Sequence, residues 1–476
     1  MDTTLTPPDG SVSPARTRAF GSSPATGFAK VAPWLVLGVV LASYGWTCVF
    51  GFVNDDFQWV EQAAAAVDGY RRPGFEVVFF LRPVVELSFL LNYLIAGSAP
   101  FLYHVFNLAL EALNAWLVWR FALLVADDLV IAMLAAIFFT IHPSHPGAVT
   151  WVCGRAELIS TACFLGALLQ HRKGRAPVAA ALLAVGIFAR ESAVSFPLAA
   201  LWLDLSLDGS ARRRWRAFLL YAAVLALYAV ARSHWTSTFA WQYSALYLLL
   251  QGDWTGMLNV ISTQLSAAVV ALLEPLYLNA LWASVLLFLL VAFTMWSEPR
   301  RRRAAAFSAG WTGIALLPFI GWATFHPRYA YLPGVGFALL LALSAARLIR
   351  RPMPAWRLAL AVVLVAGWAT ASMVRMQLRN EQWRRNGVMS ERVLDAVVKA
   401  VPKPQANTVF VIEGIGAMRL GRDPWAHTPV LLYGLGEALR LRFADHSLDI
   451  SLGDAPLPVG RPVARVQWDG VSAHAY

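Results

Sequence analysis

Blocks of about 15–22 mostly apolar residues, the length at which a helix crosses a bilayer core of roughly 30 Å, recur along this chain of 476 residues. Hydrophobic residues make up 58% of the chain and charged residues 14%. A soluble globular protein has roughly 45–50% apolar and about 25% charged residues. We therefore expect an all-α polytopic membrane protein rather than a soluble enzyme, a disordered protein or a disulfide scaffold.

The apolar blocks predict about 11 membrane-spanning helices, within a range of roughly 10–13. The predicted spans lie at about 32–52, 104–125, 129–142, 155–170, 176–190, 192–207, 217–235, 279–296, 304–325, 331–348 and 356–375. Together they define a multi-span domain at 29–376. Residues 1–28 are rich in Pro, Ser, Thr and Gly, and we expect them to form a disordered cytoplasmic tail.

Arginine-rich loops set the predicted orientation. The chain carries 39 Lys and Arg against 28 Asp and Glu, a net charge of +11. The excess falls in short runs between apolar blocks, as at Arg300–Arg303, which is the pattern of cytoplasmic loops. A nucleic-acid interface would need a basic face with interleaved polar and aromatic readers, so no nucleic-acid partner is expected. The N-terminus is predicted to be cytoplasmic. The apolar segment 257–274 is predicted to lie on the outer side without crossing, because a further span would move Arg300–Arg303 outside.

The sequence changes character after about residue 377. Residues 407–413 and 461–468 have the composition of strands, and 429–443 has the apolar spacing of an amphipathic helix. Residues 377–476 are therefore predicted to form a small α/β or α+β domain. The number of spans places this domain outside the cytoplasm.

Polar side chains that are costly in a membrane gather on one predicted face. A charged side chain near the bilayer centre costs on the order of 2.5–3.5 kcal/mol on insertion scales, so a set of them needs a partner or a function. On the topology derived from the basic loops, the whole set falls at the outer face, where a shared polar cavity is the simplest explanation. Its members are Asp55, Asp56, Arg82, Glu86, His104, Asn107, His142, His145, Arg155, Glu157, Arg190, Glu191, His326, Arg328, Tyr329 and Tyr331.

Each member of this set also has a plain structural explanation. Asp55–Asp56 can be an ordinary solvated loop pair. The charged neighbours at 155–157 and 190–191 can be ion pairs that hold helices together. His142 and His145 can cap a turn or form hydrogen bonds within it. Their i, i+3 spacing would also suit a metal ion, and the carboxylates of the two aspartates would suit one as well.

Carboxylates facing arginines at a membrane surface fit a lipid-linked phosphate donor. Arginine binds phosphate bidentately and stays charged at membrane depth, and a carboxylate can take the proton of an acceptor hydroxyl that attacks the sugar. The predicted phosphate contacts are Arg82, Arg155, Arg190 and Arg328. The predicted base is Asp55 or Asp56, and a divalent cation such as Mg²⁺ or Mn²⁺ would suit Asp55, Asp56, His142 and His145. The predicted pocket residues are His104, Asn107, His142, His145, Glu157, Glu191, His326, Tyr329 and Tyr331.

Several segments carry a family resemblance: the first-loop aspartates, RPVVELSFLLNYLIAG, YHVFNLALEALNA, IHPSHPGAVTWVCGRAEL, ARES and RYAYLPGVGF. In this order they resemble the GT-C superfamily of polyprenyl-phosphate-sugar glycosyltransferases, and within it the transmembrane O-mannosyltransferases with tetratricopeptide repeats and their bacterial relatives. The resemblance implies a first-loop aspartate that is either the catalytic base or a metal contact, and it favours Asp55 over Asp56. It also implies Arg328 and Arg190 as phosphate contacts. It covers about residues 30–345 and omits the repeats, so a protein acceptor does not follow from it. Relatives often have Lys at the position of Arg190.

The leading functional hypothesis is an inverting transferase in a bacterial inner membrane. It would move a sugar from a polyprenyl phosphate to a glycan, lipid or protein acceptor on the outer side. A lipid or glycan transporter or flippase is the alternative from another class, but the chain lacks the internal symmetry that such proteins usually have. A non-catalytic envelope assembly protein is the third hypothesis.

Overall fold

A computed structural model describes residues 24–70, 81–207, 214–235, 244–322, 324–349, 354–414, 430–431, 434–451, 460–469 and 472–475. Its helices are α1 Pro24–Tyr44, α2 Asp56–Val67, α3 Pro83–Ala96, α4 Pro100–Ala126, α5 Leu129–Thr140, α6 Pro146–Val149, α7 Arg155–Arg172, α8 Ala176–Ala189, α9 Phe196–Leu207, α10 Trp215–Trp235, α11 Ser244–Leu250, α12 Trp254–Leu272, α13 Ala280–Met295, α14 Pro299–Leu316, α15 Tyr331–Leu348, α16 Ala355–Ala400 and α17 Leu435–Phe443. The strands are β1 Val409–Glu413, β2 Asp449–Ser451, β3 Val463–Trp468 and β4 Ala473–Ala475.

The prediction of a polytopic all-α membrane protein with a small α/β domain is confirmed. Each of the predicted spans overlaps one α-helix, from α1 to the first half of α16, but α1 ends at Tyr44 and α14 at Leu316, before the ends of their predicted spans at 52 and 325. Seven helices in the described residues are long and apolar enough to cross a membrane. One of them is α12, which occupies the segment predicted to lie on the outer side without crossing. Most of the predicted tail at 1–28 lies outside the described residues, and α1 already begins at Pro24.

The first loop contains two helices, α2 and α3, that the sequence did not predict. Helix α2 begins directly after Asp55, and α3 begins at Pro83, whose missing N–H is tolerated in a first helical turn. Helix α2 packs on α3 and α17, whereas α3 packs on α4, α7 and α8. The described parts of the first loop, 53–70 and 81–99, are therefore largely helical and connect the bundle to the C-terminal domain.

The transmembrane core is built around α15, whose small residues let neighbouring helices approach closely. A Cβ atom on Gly336 would lie 2.6 Å from the carbonyl oxygen of Ser308 and from Cδ1 of Trp311, both on α14. Close backbone approach of this kind is how membrane helices associate in the absence of a hydrophobic driving force. Helix α15 thus forms the rigid support for the turn that precedes it, at Pro327–Ala330.

Helix α16 connects the membrane bundle to the C-terminal domain without a break. It runs for 46 residues, so the predicted domain boundary at 376–377 falls inside a helix. Its second half carries a buried stripe at Asn386, Ser390, Val393, Leu394 and Val397, the i, i+4, i+7 spacing of a helix with one buried face. The C-terminal domain therefore begins structurally on α16.

The C-terminal sheet has the order β2-β1-β3-β4. Strand β1 is parallel to both β2 and β3, with Val409 opposite Asp449 and Val463, whereas β4 is antiparallel to β3. Helix α17 lies between β1 and β2 in the sequence, as parallel strands require a crossover connection. Buried residues of this sheet share one apolar cluster with α2, including Phe410 and Phe57. The domain is thus packed directly on the first loop.

Candidate functional site

The two aspartates of the first loop have different surroundings. Asp56 is 1% exposed. Its Oδ2 accepts from the backbone N–H of Val53 at 3.0 Å, and its Oδ1 accepts from the backbone N–H of Cys153 at 2.8 Å. Burial raises the pKa of Asp56 to about 7, although these hydrogen bonds oppose the shift. Both oxygens of Asp56 are therefore used: Oδ2 holds the first loop at Val53, and Oδ1 attaches that loop to the turn before α7.

Asp55 is half-buried and has a freer carboxylate. One oxygen accepts from Nδ2 of Asn54 at 2.7 Å. Burial raises the pKa of Asp55, and the nearby guanidinium of Arg328 opposes that shift. A carboxylate with a raised pKa beside a cation is suited to accept a proton during a reaction. Of the two aspartates, Asp55 is the one available to a substrate.

A network of buried ion pairs lies next to this aspartate. Arg190 approaches Glu157 at 2.9 Å, while Glu191 accepts from Arg82 at 2.9 Å and from Arg232 at 2.9 Å. Burial opposes ionisation of Glu191, but its arginine neighbours outweigh this effect and lower its pKa to about 2. Buried carboxylates of this kind need paired cations. The network therefore fixes Arg82, Arg190 and Arg232 at the ends of different helices.

Arg328 has no such carboxylate partner in the part of the chain that the structure describes. Its guanidinium lies 4.9 Å from the ring centre of Trp151 and 5.1 Å from that of Tyr329. The guanidinium of Arg190 lies 5.1 Å from the ring of Tyr329, which stacks on Phe319 at 4.8 Å. Aromatic rings hold guanidinium groups without consuming their hydrogen-bond donors. Both arginines are thus oriented by Tyr329, and the donors of Arg328 are available to an anion.

The two most informative sequence motifs pack against each other. A Cβ on Gly147, in HPSHPG, would lie 3.3 Å from Cβ of Arg328, in RYAYLPG. A Cβ on Gly334, in the second motif, would lie 3.1 Å from Nε2 of His145 in the first. Each glycine therefore makes room for a residue of the other motif, which explains why the two occur together.

Two predicted site residues have structural contacts only. Arg155 is 0% exposed. It donates to Oδ1 of Asn92 at 2.7 Å and to the carbonyl oxygen of Tyr103 at 3.2 Å, and it lies 4.1 Å from the ring of Phe89. Asn107 uses its Nδ2 on the carbonyl oxygens at 149, 151 and 152. These contacts make Arg155 and Asn107 supports of the site rather than its ligand-facing groups.

The predicted histidines are not gathered around the aspartates. His142 bonds to Ser144 at 2.8 Å and to the carbonyl oxygen of Leu272 at 3.0 Å. His145 lies 4.6 Å from the ring of Tyr331, and both are buried in the bundle. His104 is buried beside Phe50. His326 lies against Tyr329, at 5.4 Å between ring centres. Among the described residues, no group of three or more His, Cys, Asp or Glu side chains could hold a metal ion.

The sequence reading missed two residues that the structure brings into contact with the predicted set. Arg232, near the C-terminal end of α10, completes the ion pairs of Glu191. It was overlooked because an arginine at a helix end is usually a topology signal. Glu111, on α4, accepts a short hydrogen bond from the Tyr331 hydroxyl. Its position inside an apolar span was the available signal, since such a carboxylate needs a partner.

Comparisons with known proteins agree with this architecture. No model of a known protein family matches the chain. The protein O-mannosyl-transferase Tmtc1 of Drosophila melanogaster is 39% identical over 92 residues, which are 19% of this chain and 11% of that protein. The protein O-mannosyl-transferase TMTC3 of Homo sapiens is 32% identical over 160 residues, 30% of this chain and 17% of that protein. The chain thus covers less than a fifth of the length of these relatives.

Two solved structures have a similar fold. ArnT from Cupriavidus metallidurans, bound to undecaprenyl phosphate, matches with a TM-score of 0.53 and 14% identity over 93% of both chains. The archaeal oligosaccharyltransferase AglB from Archaeoglobus fulgidus, in complex with an inhibitory peptide and a dolichol-phosphate, matches with a TM-score of 0.50 and 13% identity, covering 89% of this chain and 64% of that one. The chain has the GT-C fold. The resemblance of its motifs to GT-C proteins is therefore confirmed.

Proposed function

We propose that the chain is a membrane glycosyltransferase that moves a sugar from a polyprenyl-phosphate donor to an acceptor hydroxyl. The observation that carries this proposal is that the charge of the Arg328 guanidinium acts on the Asp55 carboxylate without forming an ion pair with it. The carboxylate of Asp55 is only partly buried. The guanidinium of Arg328 is held by aromatic rings and has no ion-pair partner among the described residues. The GT-C fold and the similarity to proteins named O-mannosyl-transferases support the same function.

The reaction needs one base and one anion site. Asp55 takes the proton of the acceptor hydroxyl as its oxygen attacks C1 of the sugar. The bond from C1 to the acceptor oxygen forms while the bond from C1 to the phosphate oxygen breaks, and the lipid phosphate leaves as an anion. Attack opposite the leaving group inverts the configuration at C1. A phosphate leaving group is already a stable anion, so a separate acid is unnecessary.

The donor phosphate is assigned to Arg328 and Arg190. These two guanidinium groups share Tyr329 as a support, each at 5.1 Å from its ring centre. Arg190 keeps Glu157 as a partner, whereas Arg328 offers its donors to the phosphate. Arg82 and Arg232 both form ion pairs with Glu191 and contribute positive charge to this region. Arg155 stabilises the fold through its buried hydrogen bonds and does not bind the phosphate in this proposal.

A divalent cation stays a prediction, and the mechanism does not depend on it. Asp56 uses both oxygens on backbone N–H groups, and His142 uses its ring nitrogens on Ser144 and Leu272. The four residues predicted as ligands therefore do not fit a single metal site. Transfer activity in the presence of EDTA tests the point directly.

The location and orientation are part of the proposal. We place the protein in a bacterial inner membrane with the N-terminus in the cytoplasm and the site and C-terminal domain on the outer side. Support comes from the basic loops, which mark the cytoplasmic face, and from the position of Asp55, Glu157, Glu191 and Arg328 at helix ends on the opposite side of the bundle.

The proposal is tested by comparing cell-envelope glycans, lipids and proteins by mass spectrometry with and without the gene. Expression of the unaltered chain should restore a sugar modification that Asp55→Asn does not restore. Asp127→Asn is the matched control, because the side chain of Asp127 is 66% exposed and, in the part of the chain that the structure describes, pairs with the exposed Arg300. Restoration by Asp55→Asn at the level of the control would contradict the proposed role of Asp55.

A further inference from the structure

The C-terminal domain contacts the first loop beside the proposed base. The backbone N–H of Asn54, the residue before Asp55, donates to the carbonyl oxygen of Val430 at 3.1 Å. The hydroxyl of Ser390 on α16 donates to the same carbonyl oxygen at 3.2 Å. Val430 is 0% exposed. This connection fixes the start of the α17 region against the loop that carries Asp55.

Helix α17 begins in close contact with that loop. Gly434, its N-cap residue, has φ of +93°, a conformation that L side chains rarely adopt. A Cβ on Gly434 would lie 2.3 Å from the carbonyl oxygen of Asn54 and 3.4 Å from Cβ of Phe57. The absence of a side chain at Gly434 therefore permits the first turn of α17 to lie directly on the Asp55 loop.

The first turn of α17 carries a carboxylate toward the same region. Glu437 follows Gly434 by three residues, and residues i and i+3 share one face of a helix. Glu437 is half-buried and makes no hydrogen bond or ion pair with any described residue. Its charge adds to the raised pKa of Asp55, which is consistent with proximity of the two groups.

A histidine holds this arrangement at the other end of α2. His446, which follows α17, approaches Glu61 through Nδ1 and Asp68 through Nε2, at 3.0 Å each. Both carboxylates belong to α2 or to its C-terminal cap. The C-terminal domain is therefore attached to α2 at both ends, so that Glu437 has a defined position relative to Asp55.

We propose that Glu437 recognises the acceptor, and that Asp55 and Glu437, brought together from two domains, select a polyhydroxylated acceptor, that is, a glycan. This inference rests on the proposed transferase function. Two ionised carboxylates facing one another are unfavourable unless hydrogen-bond donors lie between them. Adjacent sugar hydroxyls supply such donors: one hydroxyl gives its proton to Asp55 as it attacks, and its neighbour donates a hydrogen bond to Glu437. A peptide acceptor presents a single hydroxyl and leaves Glu437 unused.

The test uses the full chain in lipid nanodiscs with radiolabelled polyprenyl-phosphate mannose as donor. Octyl β-D-mannopyranoside is the glycan probe, and a threonine-containing peptide is the competing probe. Glu437→Gln should raise the KM for the glycoside about tenfold, the factor expected for loss of one charge-assisted hydrogen bond. The kcat and the KM for the donor should stay within about twofold. Glu437→Asp should restore part of the affinity for the glycoside.

Glu413→Gln is the matched control, because Glu413 is an exposed carboxylate of the same domain at the end of β1. An unchanged glycoside KM in Glu437→Gln overturns the inference while leaving the transferase function intact. Transfer to the peptide alone also overturns it. Donor binding serves as the test of folding. If the Glu437→Gln protein binds the donor as well as the unaltered chain does, it is folded and its kinetics can be interpreted. If the unaltered chain leaves the donor intact with both probes, the proposed function fails and this inference fails with it.

Discussion

The different surroundings of Asp55 and Asp56 predict opposite consequences for the same substitution. In Asp56→Asn one oxygen remains as an acceptor, but an amide NH₂ group must face either the N–H of Val53 or that of Cys153. One hydrogen bond is lost and one buried N–H is left without an acceptor, which should lower the free energy of unfolding by about 1–3 kcal/mol at a pH where Asp56 is protonated in the folded protein. Asp55→Asn affects a half-exposed carboxylate bonded to Asn54, and we expect it to change stability by less than about 1 kcal/mol.

Activity should follow the reverse order. Loss of a general base typically reduces a rate by about 10²–10⁴-fold, so Asp55→Asn should be folded and nearly inactive. Asp56→Asn protein that remains folded should keep measurable transfer. Chemical unfolding of the detergent-solubilised protein at pH 4.5 measures the stabilities, because Asp56, with its pKa raised to about 7, is then protonated in the folded protein, and the cost of burying its charge does not offset the lost hydrogen bond. Equal stabilities, or a folded but inactive Asp56→Asn with an active Asp55→Asn, would refute the assignment.

Other variants separate binding, folding and orientation. Arg328→Lys should raise the KM for the donor about tenfold with little loss of folded protein, because bidentate phosphate contacts are lost; an equal loss of folded protein would indicate a structural role. Arg155→Leu should lower the free energy of unfolding by about 3 kcal/mol without raising the donor KM of the folded fraction, since it leaves buried acceptors unpaired; a higher KM would contradict this. Burial lowers the pKa of His446, but its hydrogen bonds to Asp68 and Glu61 outweigh burial and raise it, so its contribution to stability is full below pH 6.5 and declines as the pH rises. The hydrogen-exchange protection factors of α2, which are corrected for the intrinsic pH dependence of exchange, should therefore be smaller at pH 8.5 than at pH 6, and His446→Gln should abolish that difference. Single cysteines at Arg302 and Ser472 should react with impermeant maleimide from opposite faces, and labelling from one face would contradict the orientation.

Hydrophobicity was sufficient to predict the spans but not their connections. A block such as that of α15 must be a helix in a bilayer, because only a helix satisfies its own backbone there. The continuous path of α16 across residue 377 could not be predicted, because polar residues of good helix propensity mark the end of a membrane span and not the end of a helix. Likewise α2 packs on α3 and on α17 of the C-terminal domain, and the local sequence does not specify these contacts.

The candidate site was predictable in composition and less so in its geometry. The cost of charge at membrane depth was enough to select Asp55, Glu157, Arg190 and Arg328, and the fold brings them to one end of the bundle. The same cost also selected Arg155, which supports buried turns. Arginines are rare in such segments whether they support the fold or bind a ligand, so their rarity does not distinguish the two roles. Glu437 lies in a domain with ordinary charge content, so only the contact between α17 and the first loop reveals it.

The central claim is that Asp55 activates an acceptor hydroxyl against a polyprenyl-phosphate sugar. The most direct measurement supplies the purified chain in nanodiscs with polyprenyl-phosphate mannose and a hydroxyl acceptor, and determines both the release of polyprenyl phosphate and the anomeric configuration of the product by NMR. The account predicts stoichiometric release and transfer with inversion at C1, both lost in Asp55→Asn. Retention of configuration, or transfer that persists in Asp55→Asn, would contradict it.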